Sequence, residues 1–204
     1  MPRRVHFRGE LLKNAQFRPE PILGRIVIDK VVVNDEVFLS PPVRSDTASF
    51  VSLLNEKEIY DNTLLIPFPY TEHDAEAFIR LADLRSKAYR RPLDWAIRTT
   101  AGRLIGMVSY HGASQFDSSR EEVGYWIGKP YWNKGIMTSV LQTFVQLGFV
   151  TYGFERLELP IFCTNAASKR VAEKAGFHLH SSIPKAHIKD GRPIDVDLYL
   201  ILKA

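Results

Sequence analysis

The stretch YWIGKPYWNKGIMTSVLQTFVQLGF, residues 125–149, opens as a strand, breaks at Gly128 and Pro130, and continues as an amphipathic helix. The break holds Lys129, Asn133, Lys134 and Gly135. The first N–H groups of a helix lack an intrahelical partner, and the helix dipole adds about half a positive charge beside them. Such an end binds phosphate when nothing obstructs approach. Gly135 has no Cβ, and Lys134 and Lys129 add charge. The arrangement suits an elongated ligand laid along the strand edge with its phosphates on the helix. The same NKG sequence also suits a plain tight turn, and neither a Rossmann nor a P-loop glycine pattern is present. Local chemistry leaves the two readings open.

Other reactive residue types carry less. Cys163 lies in the apolar run LELPIFCTN and reads as a buried core thiol, with no neighbour in sequence that would activate it. His178 and His180 share a strand face but have no third ligand at metal spacing, so no metal is expected. Tyr125 and Trp126 alternate across a strand, which puts one in the core and the other on a cleft.

The elements that position these residues follow from periodicity and punctuation. Gly24 to Pro42 reads as two short strands in a hairpin turning at Asn34-Asp35. Ser45 is placed to cap a helix running to about Leu54. The prolines forbid helix through Pro69. Thr71 then caps a helix with Glu72 and Asp74 in its first turn and Ala75, Phe78, Ile79 and Ala82 on its buried face. Strands follow at Leu93–Arg98, Leu104–Tyr110 and Glu122–Ile127, then the helix from about Ile136 and a strand at Arg156–Phe162. A short helix runs from Asn165, as cap, to Gly176. Two last strands join at Asp190-Gly191. The strands run antiparallel except for one strand–helix–strand crossover between Glu122 and Phe162, so one mixed α/β domain is expected. Its bounds are 24–204, with residues 1–23 as a poorly ordered or loosely packed leader.

The 204 residues suffice for one full-sized domain, and 45% hydrophobic with 25% charged residues is ordinary for a globular chain. A single cysteine excludes an internal disulfide framework and suits a reducing compartment, hence a cytoplasmic location. The net charge of +4 fits an anionic ligand, a nucleic acid or a basic surface. No basic stripe interleaved with aromatics appears, so nucleic acid is not an expected partner. No apolar run is long enough to span a membrane, and the basic start MPRRVHFRGELLKNAQFR lacks the apolar core of a secretory signal.

The segments GYWIGKPYWNKGIMTSVLQTFVQLGF and LELPIFCTNAASKRVAEKAGF, in this order, resemble the acetyl-coenzyme A binding core of the GNAT acetyltransferases. The likeness is greatest to the branch typified by the RimJ/RimL ribosomal-protein N-terminal acetyltransferases. It extends over about Val37–Leu202 and includes PYT…DA at Pro69–Ala75, the strand EVGYWI and the hairpin DGRPIDVDLYLIL. The resemblance implies an α/β (α+β) fold: a mixed, mostly antiparallel twisted sheet of roughly six to seven strands flanked by about four helices. It implies acetyl-CoA as cofactor, coenzyme A as co-product and no metal. The family's pyrophosphate loop reads Gln/Arg-x-x-Gly-x-Gly/Ala. Here those positions are Trp132 to Met137; Gly135 is kept, while Trp132 and Met137 depart. By resemblance, Lys134, Gly135, Ile136, Met137 and Thr138 cradle the pyrophosphate, and the strand at Trp126 and Ile127 pairs with the pantetheine arm. Asn165 and Ser168 form a second contact set near the thioester. Lys169 and Arg170 face the nucleotide phosphates or solvent.

The implied reaction needs a neutral amine, a polarised thioester carbonyl and a proton for the leaving thiolate. An α-amine titrates near ~7.7–8.0 and a lysine near ~10.4, so an α-amine needs little help from a base. Glu122 stands where many of these enzymes carry a catalytic glutamate acting directly or through water. The repeat at Glu121-Glu122 leaves the register open by one residue, and a solvated strand-end glutamate is the plain alternative. The family's tyrosine acid is absent, since Ala172 takes its place, and Ser168 is the substitute expected to hydrogen-bond the thiolate. A strand N–H near Ile127 would hold the oxyanion. Direct attack in a ternary complex is expected, with a peptide or protein N-terminal α-amine as acceptor. The alternatives are a small-molecule amine (amino acid, polyamine or antibiotic) or a non-catalytic acyl-CoA-binding module. Phe68, Tyr70 and Tyr125 are expected to line the acceptor pocket, with specificity set by loops around residues 58–71 and 112–120. His111 reads as a loop histidine or as part of the acceptor cleft. No membrane partner is expected, and the chain is a monomer or a homodimer.

Overall fold

A computed structural model describes residues 28–112 and 119–204. The expected leader and most of the loop after Gly112 lie outside the described residues. The elements are β1 (Val31–Val32), β2 (Val37–Ser40), α1 (Thr47–Leu54), α2 (Lys57–Asp61), α3 (Glu72–Tyr89), β3 (Asp94–Thr99), β4 (Leu104–Tyr110), β5 (Arg120–Ile127), α4 (Ile136–Gln146), β6 (Arg156–Phe162), α5 (Ala166–Lys174), β7 (His178–Lys189) and β8 (Arg192–Leu202). They form one eight-stranded sheet in the order β1-β2-β3-β4-β5-β6-β8-β7. Every neighbouring pair is antiparallel except β5 and β6, which the α4 crossover joins in parallel.

The sheet has one strand more than the roughly six to seven that the resemblance implies, and its edge strand β1 is the first arm of the hairpin expected at Asn34-Asp35. Among the described residues there are five helices, where the resemblance implies about four. The missed one, α2, has five residues and is too short to show an apolar period. Local chemistry explains most boundaries. Thr71 caps α3 and shares a capping box with Asp74. Asp190 and Gly191 both take positive φ, as a two-residue hairpin of this twist requires. Ser45 does not cap α1. Residues 44–46 form a 3-10 turn before it, and the Asp46 carboxylate accepts from the Val43 N–H at 2.8 Å and from Arg98 at 2.6 and 2.7 Å.

Two cores flank the sheet. On one face α4 buries Ile136, Met137, Val140, Leu141, Phe144 and Val145 against strand residues that include Trp95, Ile105 and Leu157. On the other, Phe50, Leu54, Ile59, Tyr70 and Ala75 pack on Ala96 and Met107. Beyond Gln146 the helix widens into a π turn, Leu147–Thr151. There the Tyr110 hydroxyl donates to the Phe144 carbonyl at 2.5 Å. Gly148 makes room for that hydroxyl, since a Cβ there would stand 2.8 Å from it. Arg85, from α3, grips both oxygens of buried Asp94 at 2.8 and 2.9 Å and donates to the Tyr110 carbonyl, which fixes the end of β4.

Candidate functional site

The parallel pairing of β5 and β6 lasts only from Arg120–Arg156 to Glu122–Glu158. Beyond it the strands diverge, while β5 stays paired with β4 and β6 with β8. The Gly128 N–H donates to Ile105 and the His111 N–H to the Glu122 carbonyl, so the even residues of β5 bond to β4. By alternation Tyr125 and Ile127 turn their backbone groups into the gap, joined by the carbonyl of Val123, whose N–H closes the last parallel pair with Glu158. On the opposite bank, Cys163 donates to Asp195 and Lys203 to Glu155. The odd residues of β6 therefore bond to β8, and Pro160 faces the gap. A proline inside a central strand normally costs a ladder bond. Here its missing N–H points where no strand lies opposite. Pro160 is the trace that this opening leaves in the sequence.

At the wide end of the gap sits the helix N-terminus. Gly135 is exposed, takes φ 76°, and an added Cβ there would meet nothing within 4 Å. The backbone N–H groups of Ile136, Met137 and Thr138 belong to the first turn of an 11-residue helix. Asn133 also adopts positive φ, at 60°. Trp132, a departure from the loop pattern, serves as a strut: its indole N–H donates to the Ile127 carbonyl at 2.7 Å while its ring packs on the second core. The Ile127 carbonyl is thereby engaged, leaving its N–H toward the gap. Trp126 turns its backbone to β4 and its ring into the second core, so the strand edge expected at Trp126 belongs to Val123, Tyr125 and Ile127. Lys134 lies 5.7 Å from the Tyr131 ring centre. Lys129 is already paired, at 2.5 Å from Glu58 and 3.6 Å from Glu56, so it adds little free charge at the helix end.

The two faces of β5 carry different chemistry. On the α5 side, the Tyr125 hydroxyl and the Ser168 hydroxyl lie 2.6 Å apart. Burial pushes the Tyr125 phenol up to about 12, which keeps it protonated. Asn165 caps α5 by accepting from the Ser168 N–H at 3.0 Å, which fixes Ser168 at the helix start. Tyr125 therefore belongs with Ser168 and not with Phe68 and Tyr70. On the other side, Glu122 Oε1 lies 3.0 Å from His111 Nδ1, with both side chains partly open to solvent. Glu121, its neighbour, is buried and accepts from the Gly112 N–H at 2.7 Å. That settles the register: Glu122 is the glutamate that reaches the surface.

Tyr70 does not line an open pocket. It is 6% exposed in the second core, its backbone clamped by Asn55. Phe68 is 44% exposed and packs 5.4 Å from the Tyr60 ring. Lys169 is committed to Asp197 at 2.5 Å rather than to the helix end at Gly135. Cys163 is half-buried, not fully buried, and its thiol donates to Asp197 at 3.2 Å. Burial, then the Asp197 contact, raises the thiol's pKa, the opposite of what a nucleophile needs. Among the described residues no group of three or more His, Cys, Asp or Glu is placed to hold a metal, and no helix is long and apolar enough to cross a membrane.

A family model described as an acetyltransferase (GNAT) domain matches residues 36–178. Among curated proteins, the uncharacterized N-acetyltransferase YoaA of Bacillus subtilis (strain 168) is 31% identical over 115 residues, covering 56% of this chain and 64% of that protein. This chain thus spans less than two thirds of that relative's length. Among solved structures, the microcin C7 self-immunity acetyltransferase MccE, in complex with acetyl-CoA and AMP, has a TM-score of 0.77 at 22% identity over 88% of this chain and 99% of that one. RimL, a ribosomal L7/L12 α-N-protein acetyltransferase in complex with coenzyme A, gives 0.76 at 17% identity over 85% and 97%. At these identities the two structures bear on the fold alone.

Proposed function

Because this chain belongs to the GNAT acetyltransferase family, we propose that it transfers an acetyl group from acetyl-CoA to a primary amine, by direct attack in a ternary complex. The observation that carries this reading is the gap between β5 and β6, which ends on the unobstructed start of α4. An extended arm bearing amides fits the backbone edge of Val123, Tyr125 and Ile127 as a missing strand would. A pyrophosphate fits the N–H groups of residues 134–138. The thioester then lies toward the narrow end, between the Tyr125–Ser168 pair on one face and Glu122 on the other. Ser168 supplies a hydrogen bond to the departing thiolate, and Tyr125 orients it. The amine's proton leaves on the Glu122 side.

The acceptor we favour is a peptide or protein N-terminal α-amine, supported by the branch resemblance and by the modest demand such an amine places on a base. One observation favours a smaller amine. The β7–β8 turn reaches across to α2, where Asp190 accepts from Tyr60 at 2.6 Å and Lys189 donates to the Thr63 carbonyl at 2.8 Å, which narrows the approach.

The test is a thermal melt with and without acetyl-CoA on wild type and Gly135→Glu, followed by coenzyme A release against N-terminal peptides and free amines. Ligand at 100 times its dissociation constant adds about 2.7 kcal/mol, a rise of several degrees for a chain of this size. The variant is expected to show no rise. A wild type that does not shift refutes the cofactor assignment.

A further inference from the structure

We propose that His111 Nε2 is the atom that takes the proton from the acceptor amine, with Glu122 as the residue that holds and orients the imidazole; this rests on the acetyl-transfer reading above. A carboxylate can only accept, so the 3.0 Å contact between Glu122 Oε1 and His111 Nδ1 places the imidazole hydrogen on Nδ1. Nε2 is left with its lone pair. The direction of the ring is fixed by Gly124. A Cβ on that residue would lie 2.3 Å from Cε1 and 2.5 Å from Nε2, but 3.4 Å from Nδ1. The ring therefore runs from Glu122 along β5 and presents its Nε2 edge over Gly124, past the last β5–β6 pair and beside the gap. Glu122 points its own carboxylate at the histidine, not into that space.

The backbone around His111 is held on three sides. Its N–H donates to the Glu122 carbonyl at 2.9 Å. The preceding carbonyl, of Tyr110, accepts from Arg85, and the following N–H, of Gly112, donates to Glu121. Of the titratable and charged groups around this turn, Glu122 meets the imidazole itself, while Glu121 from β5 and Arg85 from α3 meet the flanking backbone and the Tyr89 hydroxyl, from the end of α3, lies 3.1 Å from the Cβ position of Gly112. Both members of the pair remain partly exposed, 43% for His111 and 35% for Glu122, so an amine can reach them.

The step balances as follows. The ammonium form of the acceptor gives one proton to Nε2, leaving a neutral amine and an imidazolium facing Glu122. The nitrogen lone pair forms the C–N bond at the thioester carbon. Collapse breaks the C–S bond, and the nitrogen's surplus proton passes to the sulfur through the Ser168 hydroxyl. The products are the acetamide and coenzyme A, and the imidazolium returns its proton to solvent.

The experiment compares wild type, His111→Ala, Glu122→Gln and Gly124→Ala for coenzyme A release as a function of pH, with the acetyl-CoA melt shift as the check on folding and cofactor binding. With the melt shift retained, His111→Ala is expected to lose about 10²-fold or more in kcat/KM. The acid limb of its pH profile is expected to move up toward the titration of the acceptor amine itself, near ~7.7–8.0 for an α-amine. Gly124→Ala, which evicts the ring but spares the carboxylate, is expected to behave like His111→Ala. Glu122→Gln should lose less and keep the acid limb. An active His111→Ala with an unchanged acid limb, or a Glu122→Gln that is the more damaged, overturns the proposal alone. A wild type that binds acetyl-CoA but acetylates no amine overturns the transfer reading and the proposal together.

Discussion

Asp197 shows how much one carboxylate can collect. It receives Lys169 at 2.5 Å, the Ser182 hydroxyl at 2.5 Å and the Cys163 thiol at 3.2 Å. Lys169 first, then Ser182, hold its pKa near 2 against an ordinary 3.8. A depressed carboxylate stabilises the fold above its unfolded pKa and loses that contribution as pH falls through the folded one. The loss is therefore expected between about pH 4 and pH 2 and amounts to roughly 2 kcal/mol. Melting curves across that window should fall by several degrees in wild type and less steeply in Asp197→Asn. A second expectation concerns the reaction. Under the proposed function, Tyr125→Phe removes the hydroxyl that orients Ser168, and Ser168→Ala removes the proposed donor to the thiolate. Each should lower kcat by about tenfold or more while acetyl-CoA still raises the melting temperature. Residues whose roles are local were legible in the sequence: Thr71 and Asn165 as caps, Gly135 as an open helix start. Tyr70 and Tyr125 were not, because their surroundings depend on which face of a helix-flanked sheet each one meets.

Among the elements, β6 carries the most informative irregularity. Its odd residues bond to β8 and its even ones face β5 or the gap. Proline is thus allowed at 160 and forbidden one residue earlier. Pro160→Ala should change the urea midpoint by less than about 1 kcal/mol's worth. Leu159→Pro, which removes a β8 bond from a buried strand, should cost ~3 kcal/mol or more. Equal effects at the two positions would contradict the alternation drawn for the gap. Order and type of the strands and long helices were readable from period and punctuation, since each buries a face of its own. The five-residue α2 was not, because it is too short to show a period, whereas the two-residue β1 was readable only through the Asn34-Asp35 turn that joins it to β2. The divergence of β5 from β6 is a tertiary feature, and proline in an apolar run was its one trace.

For the whole molecule, α2 closes a ring over the wide end of the gap. Lys129 ties it to the end of β5 through Glu58, while Tyr60 and Thr63 meet Asp190 and Lys189 of the β7–β8 turn. The Lys189 ammonium also sits 3.6 Å above the Tyr60 ring. Such solvent-screened contacts contribute little to stability individually. Lys189→Ala is therefore expected to leave the melting temperature within about 2 °C of wild type. It should instead lower KM for bulky acceptors relative to small ones, as measured over a graded amine series, and an unchanged preference would deny the ring any part in selection. The gap beneath the ring has a consequence for the newly made chain as well. An open strand edge in the middle of a sheet is a template for any extended polypeptide, in the way that outer edges seed aggregation. Pro160 blunts one bank of that template by withholding a donor. The other bank, Val123 to Ile127, has no such guard, so under the proposed function the nucleotide thioester also acts as a chaperone. Scarcity of it should register first as light scattering at expression concentrations, before any loss of helical signal.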